Sequence, residues 1–308
     1  IDTPPDLRHQ LLREDVRTVD RLLYTHDHFD HLGGLGELEY LVQLVSKAAL
    51  PTYGSADALD GVKTEFHYMT YCLDLHELAP FETLEFDGAS YTALPVTHAP
   101  GTYGYLIETP ATRLFYASDT GKLPEATAER VRGVDVMALD ATFWKRNWSP
   151  DAHHSVQETI EEGLALDAGT LYLTHLAMHY DEPVTLAELE DYLQQYEGRV
   201  RPAADGLTLD IYHTSGGNLA VVGDGRSHIA VMAGNTALSA PVAVDVLCAA
   251  GALSDSVQPA AILTTASSPR WLDQPGVQQV YYGQDIPFIQ LRPGRSLQIK
   301  EAERVALQ

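Results

Sequence analysis

The stretch His26-Asp27-His28-Phe29-Asp30-His31 constrains this chain more than any other. It follows Arg21-Leu22-Leu23-Tyr24-Thr25, which reads as a buried strand. It precedes Leu32-Gly33-Gly34-Leu35-Gly36 and an amphipathic run that reads as a helix. Three histidines and an aspartate therefore crowd one strand-to-helix turn. His26 and His28 alternate by two and can point to one side. Asp30 and His31 come after the turn and can serve a neighbouring position. Neutral imidazole and carboxylate together suit zinc, manganese or iron. A solvated polar loop is the bland alternative, and it explains neither the H-x-H-x-D-H pattern nor its Gly-rich exit.

This loop resembles the metal-binding signature of the metallo-β-lactamase superfamily. The resemblance implies an α/β (α+β) fold, the αββα sandwich, with a one- or two-metal site at one edge. It also implies three further ligands downstream, each ending a strand: a His, then an Asp or Cys, then a His. Candidates stand in that order. Thr83–Phe86 and Tyr91–Val96 read as a hairpin around Asp87-Gly88 that ends in Thr97-His98. Gly104–Glu108 and Leu114–Ser118 are the next strands, the second ending in Asp119-Thr120-Gly121. Leu171–Thr174 ends in His175. The superfamily pattern gives His26, His28 and His98 to one metal. It gives Asp30, His31 and His175 to the other, with Asp119 bridging. The expected cofactors are thus two divalent ions, zinc or manganese. Such a pair lowers the pKa of a bound water, giving a bridging hydroxide, and polarises an ester, thioester or phosphodiester oxygen.

The region from Val134 narrows the choice of bond. A buried strand ends in Asp140-Ala141-Thr142-Phe143, and Asp151-Ala152-His153-His154-Ser155 opens the helix 156–166, with Ser155 and Glu158 fitting a capping box. This resembles the phosphodiesterase branch, which includes tRNA 3′-end-processing ribonucleases and the cyclic phosphodiesterase of phosphonate breakdown. There an acidic residue pairs with a non-ligand histidine at the phosphate. Those roles fall on Asp140 and His153, the expected catalytic pair. His154 reads as a supporting or surface residue. His179, in Leu176-Ala177-Met178-His179, is a candidate for the substrate pocket. The alternatives are a thioester or lactone hydrolase on the same centre, or a non-catalytic relic.

Acidic residues outnumber basic ones 43 to 20, a net charge of −23. That field repels polyanions and argues against large nucleic acid, so a small or cyclic phosphodiester is the expected partner. Cys72 and Cys248 offer no C-x-x-C pair, which favours a cytoplasmic setting. No signal peptide or membrane span is read. A homodimer is the assembly considered.

Elsewhere, Leu35–Lys47 reads as an amphipathic helix with Leu38, Leu41, Val42 and Val45 inward. Pro51–Gly54 reads as a strand, 64–76 as an irregular aromatic connection, Glu125–Arg132 and Leu186–Tyr196 as helices, and Leu207–Ile211 as a last strand. These complete a catalytic region of residues 1–212, in which the family's first strands are missing. Residues 213–308 form a β-rich tail with balanced charge and one helix near Ala243–Ala250. Its hairpin, Asn218–Val222 and His228–Met232, and its strand Ala260–Leu263 resemble the opening half of a metallo-β-lactamase domain. The loop after Leu263, Thr264-Thr265-Ala266-Ser267-Ser268-Pro269, carries no ligand. The tail is therefore read either as a degenerate, metal-free half-domain, whose hairpin could stand in for the missing strands, or as an unrelated, independent β-rich appendage.

Overall fold

The computed structural model describes residues 1–110, 112–176, 184–214, 217–223, 228–232, 242–249, 257–264 and 288–290, with side chains up to residue 207. The chain forms two units, Ile1–Asp205 and Gly206–Gln308.

The first unit opens with helix α1 (Leu7–Arg13), strand β1 (Leu22–Leu23) and the short helix α2 (Phe29–Leu32). Strands β2 (Leu50–Gly54) and β3 (Leu73–Glu77) flank helix α3 (Ala56–Glu65) and join β1 in a parallel sheet of order β1-β2-β3. There follow β4 (Thr83–Phe86), β5 (Ala89–Pro95), β6 (Tyr103–Glu108), β7 (Arg113–Ala117), α4 (Glu125–Val131), β8 (Val136–Asp140), α5 (Val156–Ala165), β9 (Thr170–Thr174), α6 (Leu186–Leu193) and β10 (Val200–Pro202). Their strands make a seven-stranded sheet of order β10-β9-β8-β7-β6-β5-β4.

Strand alternation sorts the side chains into layers, because successive residues point to opposite faces. On β5 and β6, Leu94 and Leu106 join Phe115, Met137, Leu139, Ile160, Leu171 and Leu189 in a core beneath α4, α5 and α6. Their neighbours Ala93 and Tyr105 pack instead with Leu23, Leu78 and Tyr103 between the two sheets. A third core places Leu32, Leu35, Leu38, Val62 and Met69 against Tyr24 and Leu73 on the outer side of the small sheet. The result is the expected αββα sandwich. Tyr105 bonds across it, its hydroxyl donating to the Tyr24 carbonyl at 2.7 Å, two residues before the histidine-rich loop begins.

The β4–β5 hairpin turns at Asp87 and Gly88, both with positive φ, as the two-residue turn demands. The Ser155–Glu158 capping box is formed, and a second one, Thr185–Glu188, starts α6. Three expectations change up to β11 (Thr208–Thr214). The run 35–47 is not one α-helix: a 3₁₀ turn (Leu35–Leu38) leads into a wider π-helical stretch (Leu41–Ser46). Leu38 and Val42 stay buried, but the altered pitch turns Val45 outward, 57% exposed. The segment 64–76 is ordered by the end of α3, a 3₁₀ turn (His67–Cys72) and β3. Phe66, Met69 and Cys72 face inward while Tyr68 and Tyr71 remain exposed. Finally, the strand read as closing the catalytic region, now β11, belongs to the second unit.

That second unit continues with β12 (Gly217–Gly223), β13 (His228–Met232), β14 (Val242–Ala249), β15 (Val257–Thr264) and β16 (Phe288–Gln290). They lie side by side in chain order, antiparallel from β11 to β13 and parallel from β13 to β16. The helix expected near Ala243–Ala250 is instead β14. The β-branched Val242, Val244 and Val246 favour a strand paired on both sides, which outweighs the helical preference of the intervening alanine. The hairpin expected at 218–232 is β12–β13, and each strand has a partner on both edges within its own sheet. Neither edge is left to replace a strand elsewhere. Residues 265–269 lie outside the described residues. Among the described residues, no helix is long and apolar enough to cross a membrane.

Candidate metal centre

All the strand ends expected to carry donors meet at one edge of the sandwich. After β1, Tyr24 N–H still bonds to the Tyr53 carbonyl, and then the chain leaves the sheet. His28 caps α2, with the N–H groups of His31 and Leu32 bonding to its carbonyl. This tight turn throws His26 and His28 to one side and Asp30 and His31 to the other.

Two donor groups result. His26, His28 and His98 form the first, and Asp30, His31, Asp119 and His175 the second. Within each, one donor atom per residue lies within 4.8 Å of the others. His28 Nδ1 is 3.2 Å from His98 Nε2. His31 Nε2 is 3.1 Å from Asp119 Oδ1, and His175 Nε2 is 3.3 Å from both Asp30 Oδ2 and Asp119 Oδ2. Asp119 Oδ2 also lies 3.9 Å from His98 Nε2, so this carboxylate stands between the groups. His175 holds a left-handed backbone, φ +53°, the kind of strain that surrounding structure must enforce.

The chemistry of these donors fits divalent cations. His26 Nε2 is buried without a hydrogen-bond partner, and the buried His31 Nε2 and Asp119 Oδ1 have only each other, at 3.1 Å. Such orphans are costly unless something positive meets them. Burial, aided by His31, pushes the His26 pKa down to about 2, which leaves it a neutral donor. Burial opposes charge on His31, but Asp119, Asp2 and Asp30 outweigh it and push its pKa up to about 12. Burial disfavours the Asp119 carboxylate too, yet His31 holds it well below the usual range. Without a cation, a proton on His31 is what balances these carboxylates.

In four of the five donor imidazoles, all but His28, the other nitrogen is held from behind. His98 Nδ1–H donates to the Ala152 carbonyl at 2.8 Å. His31 Nδ1 meets Asp2 Oδ2 at 2.9 Å, and His26 Nδ1 meets Thr25 Oγ1 at 3.0 Å. Thr25 in turn donates its hydroxyl and its backbone N–H to Asp2, each at 2.8 Å. His175 Nδ1 meets Thr142 Oγ1 at 2.7 Å. Fixing Nδ1 in this way leaves Nε2 for a metal.

Beside the two groups sits His153. Its ring stacks on His175 at 5.6 Å between centroids and meets His98 edge-on at 4.7 Å. Its Nδ1 lies 2.7 Å from Asp140 Oδ2. Asp140 is fully buried and also accepts from Thr120 N–H, Thr142 N–H and the Thr142 hydroxyl. Asp119, Asp140, His153 and His175 also gather closely enough to hold an ion, but these four hydrogen bonds already occupy both Asp140 oxygens. Burial opposes protonation of His153, and the Asp140 bond overcomes it, raising the pKa. His154 points elsewhere. It is buried, bonds to the Thr120 carbonyl at 2.6 Å and pairs with Glu162 at 2.9 Å.

All seven expected donors and the Asp140–His153 pair are thus brought together, while His179 lies outside the described residues. Sequence reasoning missed Asp2, Thr25 and Glu162 and gave Thr142 no role. The only local signals were a Thr directly before the first histidine and an Asp-x-Thr at a strand end.

A half-buried, strand-end array of histidines and aspartates on an αββα sandwich defines a metal-dependent hydrolase fold. A profile of the beta-lactamase superfamily domain matches residues 1–176, and the chain belongs to that superfamily. It is 25% identical over 190 residues to an octanoyltransferase of Porphyromonas gingivalis, covering 58% of this chain and 36% of that one. It is 27% identical over 205 residues to a ribonuclease Z of Methanopyrus kandleri, covering 54% and 71%. The chain thus spans only about a third of the octanoyltransferase. Among solved structures, a diphosphatase of the PhnP family superposes with a TM-score of 0.57 at 28% identity, covering 66% of this chain and 75% of that one. The metallo-β-lactamase fold protein YhfI of Bacillus subtilis superposes at 0.56 and 21% identity, covering 66% and 83%, which shows the shared fold.

Proposed function

We propose that the chain is a phosphodiesterase acting on a small or cyclic phosphodiester. His26, His28 and His98 would hold one divalent ion, and Asp30, His31 and His175 a second, with Asp119 shared. Zinc and manganese both suit this donor set. When bound, such ions supply an activated water and Lewis-acid polarisation of the phosphoryl oxygen.

The observation that carries the reading is the Asp140–His153 pair. Acyl transfer at a dimetal centre needs no second, buried carboxylate–imidazole couple stacked against the ligands. A phosphodiester has a poor alkoxide leaving group and benefits from one. Asp140 holds the proton on His153 Nδ1 and favours the doubly protonated ring. His153 can then give its Nε2 proton to the departing oxygen while water adds to phosphorus. One P–O bond breaks, one forms, and the water returns a proton to the imidazole. The ribonuclease Z relative and the PhnP-family diphosphatase support phosphorus-oxygen chemistry. The net charge of −23 favours a small substrate over a long polyanion.

The test is turnover of bis(p-nitrophenyl) phosphate, a thioester and a lactone by the metal-loaded protein. Phosphodiester turnover is expected, and His153→Ala should reduce it by roughly 10²–10⁴-fold while retaining metal. Turnover of the thioester or lactone alone would overturn the reading.

A further inference from the structure

We infer that Thr142 is a positioning residue whose single hydroxyl ties His175 to the Asp140–His153 pair, setting where both imidazoles carry their protons. This rests on the metal-centre reading above.

The argument is a proton count. Thr142 Oγ1 lies 2.6 Å from Asp140 Oδ1, and Thr142 N–H reaches the same oxygen at 2.7 Å. An ionised carboxylate only accepts, so the hydroxyl spends its one proton there. Toward His175 Nδ1, 2.7 Å away, Oγ1 can therefore only accept. His175 must carry its proton on Nδ1, and Nε2 presents a lone pair toward Asp30 and Asp119. His153 Nδ1 lies 3.2 Å from the same hydroxyl and 2.7 Å from Asp140 Oδ2, so it too must be protonated there. The carboxylate that dictates both tautomers is itself immobile, fully buried and bonded by Thr120 N–H at 2.9 Å.

The same device occurs at an unrelated place in the chain. Thr25 donates to Asp2 and stands against His26 Nδ1, while Asp2 takes His31 directly. Repetition of an Asp–Thr–two-His clamp on different strand ends points to orientation of imidazoles rather than local packing. The two clamps differ in what they join. Asp2–Thr25 joins two donors of the metal centre. Asp140–Thr142 joins one donor to the histidine that is not a donor, so metal binding and the placement of His153 share one hydroxyl.

The experiment compares wild type, Thr142→Val and Thr142→Ser, each titrated with Zn²⁺ alone by calorimetry and metal analysis. Removing the hydroxyl leaves the part-buried His175 Nδ1–H without the acceptor it has in wild type. In Thr142→Val one of two Zn²⁺ equivalents should bind about 10–100-fold more weakly, the other being unchanged. Thr142→Ser should restore it. Unchanged binding of both equivalents in Thr142→Val would overturn the inference alone. So would a Thr142→Ser variant as impaired as Thr142→Val, since the lost feature would then be the methyl group. Wild-type protein that binds no Zn²⁺ would overturn the metal-centre reading and this inference with it. Nitrogen-15 spectra of Zn²⁺-loaded wild type decide the matter even if the valine variant does not fold: His175 must show a protonated Nδ1, and a protonated Nε2 refutes the clamp.

Discussion

Asp119 is the residue on which the two donor groups depend together. Asp119→Ala should lose both cations, or hold them so weakly that dialysis removes them, and turnover should vanish with them. Metal analysis showing two ions retained with unchanged activity would remove Asp119 from the centre. The donors were legible because they obey a local pattern, H-x-H-x-D-H, followed by a His, an Asp and a His at strand ends. The residues behind them were not. Asp2 meets Thr25 and His31 across 23 and 29 positions of chain, and nothing local marks an aspartate as the partner of a histidine so far ahead. His154 was read as a supporting or surface residue; it is a supporting one, and its burial was not legible for a related reason. It adjoins His153 in sequence, but at the start of α5 one step of chain turns it from the centre to Glu162 and the Thr120 carbonyl.

Among the elements, α5 and the turn after β7 are held together by that His154–Glu162 pair. Burial opposes the charged imidazole, and Glu162 with the Thr120 carbonyl outweighs it, so the folded pKa is raised. A raised histidine pKa contributes stability that is complete below the unfolded value near 6.5 and fades as pH rises through the folded value. The stability difference between wild type and His154→Gln, measured by urea unfolding, should therefore be larger at pH 6 than at pH 9. A difference independent of pH would mean the pair is not ionic. The turn into the 3₁₀ segment makes a different demand. A Cβ on Gly34 would sit 2.0 Å from the Pro4 carbonyl oxygen and 2.8 Å from Leu7 Cβ. Gly34→Ala should cost about 1–3 kcal/mol by overpacking, read as a lowered urea midpoint. It should also weaken metal binding, because Pro4 is two residues from Asp2. Elements with a clear period and a marked turn, such as β4 and β5 around Asp87-Gly88, were legible. β14 was not: its alternating valines compete with an alanine that also suits a helix, and its parallel neighbours decide between them.

At the scale of the molecule, the charge is one-sided. Residues 213–308 are nearly balanced, so the part that holds the metal centre carries almost all of the net −23. An anionic substrate approaches against that field, and salt screens it within about 8–10 Å at physiological strength. The kcat/KM for a phosphodiester should therefore rise between roughly 0.01 M and 0.15 M salt, while that for a neutral ester stays level. A fall with salt would reveal a cationic entrance that outweighs the net charge. The boundary between units was less legible than the charge shift. Composition changes at His213, but β11 begins before it, because a strand is assigned by what it pairs with. The span of the metal centre has a consequence for how the protein is made. Asp30 and His175 stand 145 positions apart, yet their donor atoms are 3.3 Å apart. At about 5–20 residues per second on the ribosome, His175 follows Asp30 by on the order of ten seconds. During that interval the histidine-rich loop is already made but half its partners are not. Completion of the centre is therefore a late event in the birth of the chain: His26 and His28 alone cannot enclose a cation until the strands that carry His98, Asp119 and His175 are in place.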